Sequence, residues 1–341
     1  MAAKKDAKKK DGWQKFDVSA GILLLGVAIP VSMFLWAGNR TLRIIKHSED
    51  DHIPPTRWLA SVLIPIGFLV WGLKRKSVNG SGAITGFFVG FIMTLANYCF
   101  LACLIAFFVT SSKATKFRAK EKRKFEEEYD TGSRRNWIQV FCNSGMASPF
   151  ALLYIFEIGV GQRPINFIDD FSASWFAVGV LSAYACGNAD TWASELGTVL
   201  SSTNPRLITN FKRVPRGVNG GVTLAGIIVS ALGGLVVGLA FYATIQLTIS
   251  SELLSSSPPQ WPIIVLGLVA GLFGSILDSL LGATCQYSGI HKTTGAIVEQ
   301  AGPDVEYVCG RQLLDNHSVN LLSNIITAIV MPRVANALWP Y

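Results

Sequence analysis

The sequence predicts an all-α fold: a polytopic membrane helix bundle of about seven full spans plus a short helical hairpin, with broken or short helices around a site that faces the cytosol. Three observations carry that prediction. Half of the 341 residues are hydrophobic and only 15% are charged, whereas an ordinary soluble domain is about 25% charged. The mean hydropathy is +0.39. The apolar residues fall into long blocks, each able to cross a hydrocarbon core of roughly 30 Å.

The same composition excludes other classes. Intrinsic disorder is excluded for most of the chain, and so is a disulfide scaffold: the six cysteines (Cys99, Cys103, Cys142, Cys186, Cys285 and Cys309) form no CxxC pair, and most lie in or beside apolar blocks where a small hydrophobe is ordinary. A net charge of +8 suggests nucleic acid, but the charge sits in a tail and in short loops, where it orients a membrane protein. No nucleic-acid partner is expected.

Residues 1–16 carry six lysines against two aspartates. No small-residue cleavage site follows, so they read as a cytosolic basic tail and not as a signal peptide. Residues 17–341 read as a single integral membrane domain. Full spans are predicted at 18–37, 58–73, 137–157, 172–201, 221–249, 261–283 and 320–340. The 82–110 block is different: 29 residues at 1.5 Å each make about 43 Å of helix, too long for one upright span and too short for two. Positive charge arbitrates. A single crossing divides the 30 Lys and Arg 19 to 11 between the two sides, whereas a hairpin divides them 24 to 6, and Lys and Arg gather on the cytosolic side. The hairpin is preferred, with Asn97, Tyr98 and Cys99 at its tip; two short tilted spans give the same parity.

This topology places the N-terminus, 74–81, 112–136, 202–220 and 284–319 in the cytosol. The opposite loops agree, since SSELLSSSPPQ has no Lys or Arg and 158–171 has only Arg163. Segment 112–136, with nine basic and five acidic residues, reads as a solvated surface helix whose charge sets topology and attracts anionic lipid.

Acids inside apolar blocks carry functional information, because a carboxylate at bilayer depth costs roughly 2.5–3.5 kcal/mol on insertion scales. Asp190 and Glu195 interrupt the 172–201 block within GNADTWASELG, and Asp278 lies in GSILDSLLGATCQ. One such acid is equally well explained as a neutral group bonded to a neighbouring helix. Two, flanked by Ser, Thr and Gly, favour a site. Helical spacing puts Asp190, Ser194 and Gly197 on one face, and Ser275, Asp278, Ser279 and Gly282 on another. Small-residue packing accounts for the glycines but not for the acids.

The connection NFKRVPRGVNGGVTLAG supplies Lys212, Arg213 and Arg216, then a Gly-rich entry from Gly217 to Gly221. Free N–H groups at a helix start favour phosphate, although the P-loop spacing is absent. Two polar stripes begin at cytosolic helix ends: Arg135, Asn136, Gln139 and Asn143, and Asp315, Asn316, Asn320, Ser323, Asn324 and Thr327. Each residue singly is explained by interhelical bonding. Together these features can share one cytosol-facing chamber with the ingredients of a phosphate and Mg²⁺ site, since Mg²⁺ takes one or two carboxylates plus substrate phosphate oxygens. Chemistry at bilayer depth suggests a substrate with a lipid tail.

At these residues, in RRNWIQVFCNSG, ADTWASELG, RGVNGGVTLAG, GSILDSLLGATCQ and LDNHSVNLLSN, the chain resembles the transmembrane protein 19 family. That family is similar to the plant phytyl-phosphate kinase of vitamin E synthesis and, more distantly, to dolichol and phytol kinases that use CTP. The resemblance implies a Mg²⁺-dependent prenyl-phosphate kinase that moves the terminal phosphoryl group of a nucleoside triphosphate to an isoprenoid monophosphate. It implies that Asp190 and Asp278 hold the metal and nucleotide phosphates, with Glu195 as a further ligand or base. Arg216, Gly217, Asn219, Gly220 and Gly221 would cradle phosphate, with Ser194 and Ser279 beside them. Ser112, Lys113 and Arg135, with Asn136, Asn143 and Asn320, would reach the substrate phosphate, and Gln286 and Asn320 the ribose or base. The CTP kinases carry a lysine just before the Gly-rich turn, where this chain has Val214, Pro215 and Arg216; CTP is favoured, with ATP and GTP open. The absence of a Ser- and Arg-rich plastid segment points to the endoplasmic reticulum. Two further classes stay open, a transporter of a phosphorylated or cationic solute and a non-catalytic scaffold.

Overall fold

The computed structural model describes residues 26–42, 53–118 and 134–340. The basic tail 1–16, the first part of the 18–37 span and residues 119–133 of the basic segment lie outside them. The chain divides after Phe68 into two compact units. In the first, residues 26–42 form helix α1, whose Val27, Ile29, Val31, Met33 and Phe34 are exposed, as a lipid-facing helix requires. The Arg40 guanidinium sits 5.7 Å over the Trp36 ring one turn away. Helix α2 (Pro55–Lys74) follows.

The second unit holds α3 (Gly80–Ala96) and α4 (Tyr98–Lys116), then α5 (Trp137–Ser144) and α6 (Ala147–Glu157), then α7 (Phe171–Leu200) and α8 (Leu224–Thr248). A short α9 (Ser251–Ser255), α10 (Pro262–Cys285) and α11 (Asn316–Leu338) complete the helices. The all-α prediction holds for the bulk of the chain. The connections add small antiparallel pieces that the sequence reading left as loops: β1 (Arg206–Leu207) pairs with β2 (Gly221–Val222), and β3 (Ser288–His291) lies between β4 (Ile297–Val298) and β5 (Val305–Cys309).

By length and composition, α2, α4, α8, α10 and α11 can each cross a bilayer, and α5 with α6 make a sixth span if the bent pair is one. The sequence reading of about seven full spans differs in three places. The 82–110 block breaks at Asn97, the expected tip. Its backbone N–H donates to Met93 O to end α3, and its side-chain oxygen accepts from Cys99 N at 2.8 Å to begin α4. The two halves are unequal, however, and α4 at 19 residues is long enough to span, so the hairpin is not a short one.

The predicted 137–157 span is bent by 59° between α5 and α6. At Gly145 a Cβ would lie 2.5 Å from Asn324 Oδ1, so glycine leaves the space that the Asn324 amide of α11 occupies. Asn324 Oδ1 then accepts from Met146 N at 3.2 Å, which replaces a helix bond lost at the break. Pro149 falls in the first turn of α6, where its missing N–H costs no intrahelical bond.

The predicted 172–201 span is an unbroken 30-residue helix. Its serines, glycines and GNADTWASELG run lower its hydropathy, and it is absent from the set of apolar spans. The other helices instead cover it. Along α7, residues 176–189 are buried without interruption, Phe176 to Ala189. Asn188 ties three helices in this core: its Oδ1 accepts from Thr110 Oγ1 at 2.9 Å and its Nδ2 donates to Gly233 O at 2.8 Å. Asn324 Nδ2 donates to Ala183 O at 2.8 Å and fixes α11 to α7. A buried amide with both ends bonded specifies helix register as well as stability. The outer faces carry Phe156, Leu239, Leu247, Val265 and Val269, all exposed, an apolar surface too extensive for water and suited to lipid.

Candidate functional site

A cavity of about 390 Å³ opens where the end of α7, the start of α8, the end of α10 and the start of α11 converge. That is within the range of small-molecule sites. Asp190 and Asp278 stand in it and are partly exposed to it. They come from α7 and α10, yet their carboxyls meet in hydrogen-bonding contact. Two like charges this close need a proton or a cation between them. Asp278 is further held by α11: Ser323 Oγ donates to its Oδ2 at 2.9 Å, and the Asn320 amide, turned so that its nitrogen faces the acid, donates to the same oxygen at 3.2 Å. The stripe on α11 is thereby explained, since Asn316 and Asn320 line the cavity and Ser323 and Asn324 bond what surrounds it.

Opposite the acids, the 134–136 segment brings in Arg135. Its backbone is bonded to the start of α3, with Arg135 N donating to Ser77 O at 3.1 Å and Asn79 N donating to Arg135 O at 3.0 Å. The side chain lies 5.3 Å over the Phe107 ring, and Nη2 donates to Ser111 Oγ at 2.9 Å. Nη1 is buried and has no partner among the described residues. Burial brings the guanidinium down to about 10, against the Glu195 charge, which raises it. It remains a cation at neutral pH, and a buried cationic donor without an acceptor is a place for an anion.

The Gly-rich turn forms a third wall. Gly220 has φ +75°, and a Cβ there would meet Ser279 O at 2.6 Å and Ala283 Cα at 2.8 Å. Only glycine lets the turn close onto α10. Asn219 N donates to Ser288 Oγ at 3.1 Å, while the buried Asn219 Nδ2 has no partner among the described residues. Arg216 donates to Thr198 O at 3.1 Å and Ser201 O at 2.7 Å, the carbonyls at the end of α7, where a cation complements the helix dipole. Gln286 Nε2 donates to Glu299 Oε1 at 2.9 Å.

The structure therefore brings Asp190, Ser194, Glu195, Arg216, Gly217, Asn219, Gly220, Gly221, Asp278, Ser279, Gln286, Arg135, Asn143 and Asn320 to one cavity. Three expected residues are placed elsewhere. Lys113 is exposed and Ser112 is buried, neither lining the cavity. Their neighbours lie at the site instead: Ser111 bonds Arg135 and Thr115 lines the cavity, because one residue along a helix turns the side chain by about 100°. Asn136 is occupied as the cap of α5, in a reciprocal pair with Gln139 at 2.9 and 3.0 Å. Thr191, Thr198 and Thr223 also line the cavity; their signal was their place in the GNADTWASELG run and its continuation and at the Gly-rich entry.

Among the described residues no cluster of three or more His, Cys, Asp or Glu is assembled. The donor set nonetheless fits Mg²⁺, which needs only one or two carboxylates and completes its shell with water and phosphate oxygens.

These features define a helical integral membrane protein with a charged, polar cavity set among its spans. The chain belongs to the integral membrane protein DUF92 family, which it matches over residues 63–328. It is 39% identical to Protein PGR of Arabidopsis thaliana over 279 residues, 81% of this chain and 96% of that one. An uncharacterized membrane protein of Methanocaldococcus jannaschii is 26% identical over 80% of this chain and 92% of its own. Protein VTE6, chloroplastic, of A. thaliana is 27% identical over 67% of this chain and 63% of its own. No solved structure matches the chain.

Proposed function

We propose that this protein is a Mg²⁺-dependent isoprenoid-monophosphate kinase of the kind that the transmembrane protein 19 resemblance implies, with a nucleoside triphosphate as co-substrate, CTP favoured. The observation that carries the reading is the meeting of Asp190 and Asp278 inside a cavity that also presents the Gly220 turn and a buried Arg135 nitrogen with no partner among the described residues. In the reaction a phosphate oxygen of the lipid monophosphate attacks the terminal phosphorus, the bond from that phosphorus to its bridging oxygen breaks, and the nucleoside diphosphate leaves. The attacking oxygen is already anionic at neutral pH, so no base is required. Asp190 and Asp278 would hold Mg²⁺, which when bound would neutralise charge on the phosphates. Arg135 neutralises and orients one phosphate through Nη1 while Phe107 and Ser111 fix its plane. The Gly217–Gly221 turn offers backbone close to the phosphates, and the Asn219 and Gln286 amides suit ribose or base. The acids enter the cytosol-facing half of their helices in the topology read from charge, and the endoplasmic reticulum is the membrane proposed.

Purified protein with farnesyl or geranylgeranyl monophosphate and γ-labelled CTP, ATP or GTP tests this. Label in a diphosphate product supports it; no label with any nucleotide overturns it. The 59° break between α5 and α6 favours a second reading as a transporter of a phosphorylated solute. Asp190-dependent uptake into liposomes without product formation would establish that reading instead.

A further inference from the structure

Two of the apolar cavity-lining residues stand apart. Ile227 on α8 and Ile276 on α10 line a chamber walled mostly by carboxylates, hydroxyls, amides, arginines and glycines, with Ala193, Pro205, Val218 and Val222 as its other apolar members. Both are also exposed, at 39% and 42%, unlike Val218, the buried aliphatic in the same wall. Their helices explain how this arises. A Cβ on Gly234 would meet Gly267 O at 2.3 Å, and one on Gly271 would meet Gly234 Cα at 2.7 Å, so α8 and α10 touch backbone to backbone there. Nearer the cavity, about two turns along α8 and one and a half along α10, Ile227 and Ile276 both line the chamber. Ser230 Oγ donates to its own helix at Ile227 O, 2.8 Å away, and adds no polar barrier between the helices. Beyond the two isoleucines, Leu224, Ile228 and Leu280 continue an exposed apolar surface on the outer faces.

We propose that the cavity opens sideways between α8 and α10, with Ile227 and Ile276 framing the mouth, and that the apolar tail of a lipid monophosphate lies there while its phosphate reaches Asp190, Asp278 and Arg135. The inference rests on reading the cavity as a lipid-phosphate site and names where the tail goes. The physical case is continuity. A prenyl tail cannot be drawn into a polar chamber without losing about 0.8 kcal/mol per methylene-sized group taken out of an apolar medium, and a side mouth lets the headgroup enter while the tail stays in lipid.

The test uses the full chain in phosphatidylcholine nanodiscs and geranylgeranyl monophosphate with a diazirine at the tail end. After irradiation, labelled peptides are mapped by mass spectrometry with and without excess unlabelled geranylgeranyl monophosphate. The expected result is label within about one turn of Ile227 and Ile276, reduced at least tenfold by the competitor. The variant Ile227→Trp/Ile276→Trp, both sites being exposed, lowers that label at least fivefold at an unchanged melting temperature. Competed label on α4 or α11, label that persists in the double variant, or no competed label anywhere overturns the mouth. Competed label at the mouth without diphosphate from any nucleotide overturns the kinase reading and leaves the mouth standing.

Discussion

Ser323 Oγ donates to Asp278 Oδ2 at 2.9 Å across the α10–α11 interface, and the same Asp278 meets Asp190 of α7. One carboxyl is thus shared by three helices that are far apart in the chain. The hydroxyl holds the Asp278 carboxyl in place beside Asp190.

Asp190→Asn and Asp278→Asn are expected to lower phosphoryl transfer by about 10²–10³-fold, the scale of removing one preorganised electrostatic group. Each removes one of two adjacent like charges, so the melting temperature is expected to hold or rise. Labelled-product assays beside thermal unfolding check both. A scaffold role predicts no transfer by any of the proteins, with cellular function intact and the stability change present in both variants.

Arg135→Lys keeps the charge but loses the planar fork that bonds Ser111 and lies over Phe107. It is expected to raise KM for the lipid monophosphate about tenfold or more, with a smaller change in KM for the nucleotide. Steady-state kinetics with each substrate varied in turn decide it, and equal changes in both constants would remove Arg135 from the lipid phosphate.

Gly220→Ala forces a side chain onto a φ of +75° and against backbone atoms of α10. A destabilisation of about 1–3 kcal/mol is expected from the strain, together with loss of transfer, because the turn can no longer close. Gly86→Ala, in α3 with open space around it, is the control and is expected to change neither.

Asp315 caps α11 by accepting from Ser318 N at 2.8 Å. That bond first, and the nearby His317 to a smaller degree, hold its carboxyl below the ordinary range. A pKa lowered by folding gives stability that is fully present above the unfolded value near 4 and is lost as pH falls through the lower folded value. Asp315→Ala is expected to cost about 0.5–2 kcal/mol at pH 7 and progressively less in acid. Melting curves at pH 7 and pH 3 measure this, and Asp315→Asn, which retains a capping oxygen, is expected to lose much less at pH 7.

The apolar blocks, the break at Asn97, the polar stripe on α11 and the pair Asp190 and Asp278 were legible in the sequence, because each follows from a local rule: block length, a capping residue, helical spacing, or the cost of charge in lipid. The bend at Gly145 was not, since it depends on Asn324, which is 179 residues away and fits only where a Cβ is missing. Nor was the choice of Ser111 over Ser112, which is set by the direction from which Arg135 arrives. The sequence by itself determined that this is a helical membrane protein with acids that something must compensate. Only the tertiary structure decided that those acids meet, that Asn136 caps α5, and that Arg216 reaches the carbonyls ending α7. The reason is physical: hydropathy and capping act within a few residues, whereas carboxyl contact and helix approach are fixed by packing between distant segments.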